Sequence, residues 1–414
     1  MARSTSSSVS WYRKVSDEGV GYSVVELNDV RHVFAAAVPR CGDSLSAQAA
    51  DALETIRQLV EDEGVRGAIV SQSVFLPGPE YLDEARRLIC DFYGPELPAT
   101  TYIFQPPCEG KLLSIEALGV GRKHEGVRIL RICENLVVAE HSGVSWVHCA
   151  HMTPTTDSPL VYDRTLSAFQ RMAATLQRAG VSYDRVIRTW LYLGDIVGRE
   201  GHTQRYMEMN RARSDYYQNI RFRPARIPAG FNPTVYPAST GIGAQGQDIV
   251  MSCIALDTSR DDILAMPLEN PLQRSAFDYS PCYGLKSPKF CRAMALSCGR
   301  FATIFISGTA SITNEETQFI GDVVGQTHQT LDNIEALISD YNLARHGMPG
   351  LGTTLEGIAF ARVYVKNKED YPKVREVCEK RLGDIPTVYA VADVCRPELL
   401  VEIEGIAFSR LENV

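Results

Sequence analysis

The stretch Leu399-Leu400-Val401-Glu402-Ile403-Glu404-Gly405-Ile406-Ala407-Phe408 decides the fold of the C-terminal part of the chain. Apolar and polar residues alternate across it, which predicts a β-strand. The alternation puts Glu402 and Glu404 on the same face of that strand. A carboxylate on a buried face is either paired with a cation or held with a raised pKa for proton transfer. The strand alone leaves three interpretations open: a solvated face, a structural ion pair and a catalytic acid.

The composition is that of an ordinary globular protein. The chain has 414 residues, of which 45% are hydrophobic and 22% are charged, so it is long enough for several domains. Its net charge of −8 argues against a general nucleic-acid or membrane-surface binder. The sequence shows neither an apolar run of transmembrane length nor the apolar core of a signal peptide near its start. We therefore expect a cytoplasmic protein without a nucleic-acid or membrane partner.

The cysteines and histidines do not form a metal motif. The eleven cysteines are odd in number and contain no CxxC pair, and the eight histidines do not join them at zinc-site spacing. The nearest grouping, His148-Cys149-Ala150-His151, lies in a strand-like stretch and is better explained by core packing. A phosphate loop and a dinucleotide fingerprint are also missing from the sequence. We therefore expect reduced cysteines, no metal and no cofactor.

One unit of about a hundred residues recurs three times along the chain. Each copy has a strand, an amphipathic helix, a second strand, a second helix and closing strands. The third copy is the clearest, because the apolar residues of 322–338 fall three and four apart and predict a helix packed by one face. Each copy is expected to be α+β, with one sheet and two helices on one of its faces. Three such units can cover one another's open sheet faces by closing a ring about a pseudo-threefold axis.

The repeat predicts a division of the chain into five parts. They are a disordered or loosely ordered tail (1–25), a degenerate first unit (26–130), a second unit (131–260), a connecting segment that lines a cleft (261–300) and a C-terminal unit with the carboxylate pair (301–414).

Short motifs in the third copy resemble the YjgF/RidA-like fold. The motifs are Ser307-Gly308, Gly321-Asp322, Gln326 and the Val401–Glu404 segment. Members of that family are commonly homotrimers with ligand sites in the clefts between subunits, so the resemblance implies such a trimer fused into one chain. When the closing strands of the copies are aligned, Ser114 and Met251 fall where the third copy has Glu402. We therefore expect one working site per chain.

A narrower resemblance points to one branch of that fold. RidA-like imine hydrolases carry an arginine shortly after a proline, and here Thr387 stands in that place. Four segments, 188–196, 236–243, 287–294 and 393–405, are instead similar to the chorismatases. These enzymes of bacterial secondary metabolism split chorismate into pyruvate and a cyclic carboxylic acid. The resemblance implies a small dianionic substrate.

Cleavage of the enol ether of chorismate requires three features of the site. A neutral carboxylic acid must protonate the terminal methylene carbon, cations must hold two carboxylates, and water must reach the resulting oxocarbenium ion. We predict Glu402 as the acid, with Glu404 as the alternative. The sequence shows no base beside Cys395, so it is expected to be a wall or a polar contact. The predicted substrate-binding residues are Arg292, Lys289, Tyr206, Arg213, Arg211, Arg396, Cys395 and Ala244.

Three functions remain open at this point. The first is a chorismatase, acting on chorismate or a relative such as isochorismate and releasing a dihydroxycyclohexadiene carboxylate or a hydroxybenzoate. The second is an imine or enamine hydrolase of general RidA type. The third is a non-catalytic ligand-binding protein, because a fold does not fix a function. The sequence allows a monomer as well as a homo-oligomer.

Overall fold

The computed structural model of the protein describes residues 11–17, 19–64, 69–121, 126–284 and 286–412. Three six-stranded mixed sheets, here called the first, second and third sheets in chain order, form its framework. None of the helices in these ranges is both long and apolar enough to span a membrane.

The first sheet lies within residues 12–121. Its strands follow the order β1-β2-β3-β6-β4-β5, and its two helices pack on one face through a shared apolar core. Its elements are β1 (Tyr12–Asp17), β2 (Val20–Leu27), β3 (Val30–Ala37), α1 (Leu45–Asp62), β4 (Ile69–Leu76), α2 (Leu82–Tyr93), β5 (Ala99–Phe104) and β6 (Ser114–Gly121).

The second sheet lies within residues 128–257. Its strand order, read from the opposite edge, is β7-β8-β9-β14-β10-β13, with β11 and β12 forming a separate short ribbon. Its elements are β7 (Arg128–Cys133), β8 (Leu136–His141), β9 (Val144–Met152), α3 (Val161–Gln177), β10 (Val186–Gly194), β11 (Arg199–Glu200), β12 (Thr203–Gln204), α4 (Arg205–Tyr217), β13 (Ala238–Ala244) and β14 (Ile249–Asp257).

The third sheet lies within residues 264–410. Its strand order is β15-β16-β17-β22-β20-β21, and β18 and β19 form another short ribbon. Its elements are β15 (Leu264–Leu268), β16 (Ala293–Cys298), β17 (Phe301–Ala310), β18 (Ile312–Thr313), β19 (Glu316–Thr317), α5 (Val323–Ile338), α6 (Asp340–Arg345), β20 (Ile358–Val365), α7 (Tyr371–Leu382), β21 (Thr387–Val391) and β22 (Val401–Arg410).

The three sheets share one topology. In each, three antiparallel strands lead to the closing strand at the fourth place, and the last pair (β4 with β5, β10 with β13, β20 with β21) is parallel. The helix-free faces of all three sheets meet in one central apolar cluster, to which Phe34, Tyr192 and Tyr364 contribute. The predicted α+β fold of three related units is therefore confirmed.

Two of the predicted segments are more ordered than the sequence suggested. The predicted tail contains β1 and most of β2, which pair with each other and extend the first sheet; residues 1–10 lie outside the described ranges. The predicted connecting segment contains β15 and β16, which are part of the third sheet. In each stretch the outer strand, β1 or β15, lies at the edge of its sheet, and the strength of a strand signal depends on the neighbours against which the strand packs.

Candidate functional site

A cavity of about 210 Å³ lies between the second and third sheets. Its walls come from α4 and β13 on one side and from β17, β22 and the loops before β16 and β22 on the other. The Ser307-Gly308 pair joins the two sheets at its base. The Ser239 amide donates to Ser307 Oγ at 2.8 Å, and the Gly308 amide donates to Thr240 Oγ1 at 2.9 Å.

Glu402 on β22 brings its carboxyl group into this cavity. The side chain is 4% exposed, and no hydrogen-bond partner for the carboxyl group appears in the described part of the chain. Burial, followed by the neighbouring Glu404 anion, raises the pKa of Glu402 to about 8 against the opposing charges of Arg188 and Arg292. Glu402 therefore carries a proton near neutral pH.

Gly308 makes room for that carboxyl group. A Cβ atom at position 308 would overlap Oε1 of Glu402 and lie 3.0 Å from its carboxyl carbon. The backbone of Gly308 does not have a positive φ, so the requirement for glycine here is steric. The Ser-Gly pair and the Glu402 carboxyl group thus form one structural unit.

Glu404 lies on the same strand face but has the opposite environment. Burial alone would raise the pKa of this carboxyl group, but Arg188 and Arg362 hold it below its ordinary value. Glu404 is therefore an anion and has no proton to give. Its oxygens are contacted by Arg188 Nη2 (2.5 Å), Trp190 Nε1 (2.9 Å), Arg362 Nη1 (3.0 Å), the Tyr364 hydroxyl group (3.1 Å) and the Thr240 hydroxyl group.

Three arginines line the same cavity. Arg213 comes from α4, Arg292 from the segment before β16, and Arg396 from the loop before β22. Each has one buried nitrogen without a partner among the described residues: Nε of Arg213, Nε of Arg292 and Nη2 of Arg396. A buried guanidinium nitrogen without a hydrogen-bond partner is costly inside a protein. The site is therefore suited to an anionic ligand.

Neighbouring groups fix the orientation of these guanidinium groups. Arg213 Nη1 donates to Ser239 Oγ at 3.2 Å, and Arg292 Nη2 donates to the Tyr279 hydroxyl group at 2.7 Å. Arg396 lies 3.9 Å from the ring centre of Tyr283. Because the cations are held by contacts on one side, their remaining N–H groups are already oriented for a ligand.

Five of the eight predicted binding residues line the cavity, and the other three lie outside its lining. Tyr206, Arg213, Arg292, Cys395 and Arg396 line the cavity. Lys289 turns away to Ser287 Oγ at 3.0 Å, and Arg211 pairs with Glu208 at 2.5 Å on the outer side of α4. Ala244 packs against the central cluster.

Cys395 and Tyr206 form a buried polar edge of the cavity. Burial raises the pKa of the Cys395 thiol to about 12, so the group is a thiol and not a thiolate at neutral pH. Burial likewise raises the pKa of the Tyr206 phenol above its ordinary value. Both groups are therefore neutral and act as part of the wall.

Several residues of the site were missed from the sequence. Tyr279, Tyr283 and Phe290 lie in the connecting segment that was predicted to line a cleft, but no pattern in the sequence singled out these three aromatic residues. Arg188 and Arg362 were detectable, because each interrupts an otherwise apolar strand and must therefore have a buried partner.

Strand pairing shows what stands at the Glu402 position in the other two units. Glu402 pairs with Tyr364, and the equivalent pairs are Ser114 with Phe75 and Val250 with Tyr192. The Ser114 assignment from the sequence agrees with this register. The Met251 assignment is wrong by one residue, and because side chains alternate along a strand Met251 points into the helix-side core.

In the described part of the chain, no three His, Cys, Asp or Glu side chains are grouped as a metal site.

Known proteins resemble this chain both in sequence and in architecture. Residues 131–255 match the family model described as "Chorismatase FkbO/Hyg5-like, N-terminal", and residues 293–409 match "Endoribonuclease L-PSP". A crystal structure of a chorismatase is 25% identical, with a TM-score of 0.63, over 82% of this chain and 93% of that one.

Two curated relatives come from Streptomyces hygroscopicus. A 3-hydroxybenzoate synthase is 35% identical over 280 residues, which are 64% of this chain and 77% of the relative. A chorismatase is 32% identical over 275 residues, 64% of this chain and 74% of the relative. The chain therefore belongs to the chorismatase family and is an enzyme.

Proposed function

We propose that this protein hydrolyses the enol ether of chorismate and releases pyruvate. The observation that supports this most directly is the neutral Glu402 carboxyl group in a cavity whose arginines have free N–H groups. A dianion with an acid-labile enol ether needs both features in one place. Relatives named chorismatase and 3-hydroxybenzoate synthase support the same substrate.

In the proposed reaction Glu402 gives its proton to the terminal methylene carbon of the enol ether. The resulting oxocarbenium ion takes up water, and the Glu402 carboxylate accepts the proton that this water releases. The hemiketal then collapses to pyruvate and the ring alcohol. Chorismate and one water are thus converted to pyruvate and a dihydroxycyclohexadiene carboxylate, and the enzyme returns to its starting protonation state.

The two substrate carboxylates are proposed to bind the guanidinium groups of Arg213, Arg292 and Arg396. Hydrogen bonds between ionised partners are worth about 1.5–3 kcal/mol each. The rings of Phe290, Tyr206 and Tyr283 form apolar surface beside these cations, which suits the cyclohexadiene ring.

We further propose that the cyclic product is 3-hydroxybenzoate. This follows the name of the 35% identical relative. The ring must then lose water after the ether is cleaved, so the water used in hydrolysis is returned and chorismate is converted to pyruvate and hydroxybenzoate with no net water. Chromatography of the reaction against authentic 3-hydroxybenzoate and the dihydroxy acid distinguishes the two outcomes.

The test of the reaction is pyruvate release from chorismate by the wild type and by Glu402→Gln. Loss of at least about 100-fold in the variant is expected for removal of the general acid. Glu398→Gln is the matched control, since Glu398 lines the same cavity but donates no proton in the proposal. Equal release by wild type and Glu402→Gln would refute the acid assignment. Activity on an unstable imine instead of chorismate would favour an imine hydrolase.

A further inference from the structure

Behind the cavity lies a buried cluster of four charged side chains from all three sheets. Its members are Glu116 on β6, Arg188 on β10, and Arg362 and Glu404 on β20 and β22. The reaction proposed above uses none of them directly. We propose that Glu116 is a positioning residue that acts on the acid Glu402 through Arg362 and Glu404. This inference rests on the proposed function of Glu402.

The first link is a two-point contact between Arg362 and Glu116. Arg362 Nε lies 2.5 Å from Glu116 Oε2, and Arg362 Nη2 lies 2.6 Å from Glu116 Oε1. Arg362 Nη2 also donates to Ser73 Oγ at 3.0 Å. A paired fork of this kind fixes both the position and the plane of the guanidinium group. The first unit thus sets the orientation of an arginine on the third sheet.

The second link runs from Arg362 to Glu404. Arg362 Nη1 lies 3.0 Å from Glu404 Oε1, while Arg188 Nη2 lies 2.5 Å from Oε2. The two oxygens of Glu404 are therefore held by different arginines. Since Glu404 and Glu402 are two residues apart on one strand face, the Glu404 anion stays fixed beside the acid.

The cluster is balanced in charge. With both carboxyl groups ionised, the charges of Arg188 and Arg362 offset those of Glu116 and Glu404; burial raises the pKa of Glu116, and the contact with Arg362 opposes that rise. Loss of the Glu116 charge would leave one positive charge in excess and would favour the ionised form of Glu402. The titratable and charged groups that act on Glu402 are Glu404, Arg188, Arg292, Tyr206 and Cys395, and Arg213, Arg396 and Glu398 line the same cavity.

The position of Glu116 in its own sheet matches that of Glu404. Glu116 pairs with Ser73 across the first sheet, as Glu404 pairs with Arg362 across the third. The first unit therefore has a serine, Ser114, at the Glu402 position but a carboxylate at the Glu404 position. That carboxylate serves the neighbouring unit, which gives the first unit a role although it has no acid of its own.

The experiment compares the pH dependence of kcat/KM for pyruvate release in the wild type and Glu116→Gln. The basic limb is expected to move to lower pH by about half a unit or more, because one charge about 20 Å away contributes about 0.8 kcal/mol at an effective dielectric constant of about 20, and a nearer charge contributes more. We expect kcat to fall more than KM changes. Glu134→Gln, which removes an exposed carboxylate of the Arg86 ion pair, is expected to leave the profile in place.

Two further variants protect the test against loss of folding. Glu116→Asp keeps the charge, so its basic limb is expected to lie closer to that of the wild type than the basic limb of Glu116→Gln does. Arg362→Lys keeps the cation but loses the fork, and at least a tenfold loss of kcat is expected. If the wild type is active, an unchanged pH profile in Glu116→Gln or full activity in Arg362→Lys would overturn this inference and leave the proposed function standing. A wild type that releases no pyruvate would overturn it together with the proposed function.

Discussion

Replacement of Gly308 by alanine tests whether the placement of the acid limits the reaction. The new Cβ atom would overlap Oε1 of Glu402 and lie 3.1 Å from Thr240 Cγ2. Thr240 is held by its hydrogen bond to Glu404, and the Gly308 amide is bound to Thr240 Oγ1. Neither the backbone at 308 nor the opposite wall is free to move away, so the Glu402 carboxyl group must move.

The size of that movement sets the expected loss. Cβ atoms in proteins keep about 3 Å from neighbouring atoms, so the carboxylate oxygen has to retreat by about 1 Å. A displacement of this size in a reacting group costs roughly 100-fold in rate. This corresponds to about 2.7 kcal/mol in the activation free energy. We expect the loss in kcat, since the three atoms nearest to the new Cβ belong to Glu402 and Thr240 and not to the arginines that are proposed to bind the substrate.

The assay is steady-state pyruvate release at pH 7, with thermal unfolding as a check on folding. Gly78→Ala is the matched control, because its Cβ would meet only the flexible side chain of the exposed Glu80. A Gly308→Ala enzyme with a folded core and a kcat within about threefold of the wild type would show that the rate does not depend on the position of the Glu402 carboxyl group.

Three further outcomes are expected. The kcat/KM for pyruvate release should be level below pH 7 and fall above about pH 8, because only the protonated Glu402 can act; a rate that rises through pH 8 would contradict this. Since the folded pKa of Glu402 lies above 4.5, its contribution to stability is complete below pH 4.5 and is lost by about pH 8. In that window the unfolding free energy of the wild type, relative to that of Glu402→Gln, should fall by about 1.4 kcal/mol per pH unit. Denaturant titrations that give the same difference at every pH would contradict this. Arg213→Met should raise KM by about tenfold or more, whereas Arg211→Met on the outer side of the same helix should not; equal effects of the two would contradict the assignment of the cavity wall.

The strand pattern predicted that Glu402 and Glu404 lie on the same strand face, but it did not predict the protonation state of either carboxyl group. A period of two is enough to place both side chains on one buried face. Their opposite protonation depends on Arg188 and Arg362, and Arg188 is 216 residues away from Glu404 in sequence. Long-range pairing of this kind leaves only an indirect trace in the sequence, namely an arginine inside an apolar strand.

The alignment of the second unit failed for a related reason. The strand Ile249–Asp257 is apolar almost throughout, so it has no alternation from which its register can be read. The order of helices and strands was still sufficient to predict three units, because element order does not depend on register. The hydrogen-bonded strand pairing was needed to show that Val250, and not Met251, stands at the position of Glu402.

The helix α4 shows an error that geometry could have prevented. Arg211 and Arg213 are two residues apart, and successive residues on a helix are turned by about 100°. Two such side chains point to nearly opposite sides, so they cannot both line one wall. The burial of Arg213, which is 1% exposed, and the Glu208 ion pair of Arg211 follow this rule.

The second and third sheets differ in more than the presence of the acid Glu402, and these differences support the proposal that the reaction takes place in one cleft. In the second sheet the residues opposite Ser252 are Ala150 and His151, where the third sheet has Ser307 and Gly308 opposite Glu404. The Tyr102 amide donates to His151 Nδ1 at 3.3 Å. The second sheet therefore has a bulky side chain at the position where the third sheet has the glycine that makes room for Glu402. The proposed reaction needs an acid, a glycine and arginines from two units at once, and behind them the Glu116 carboxyl group of the first unit contacts Arg362.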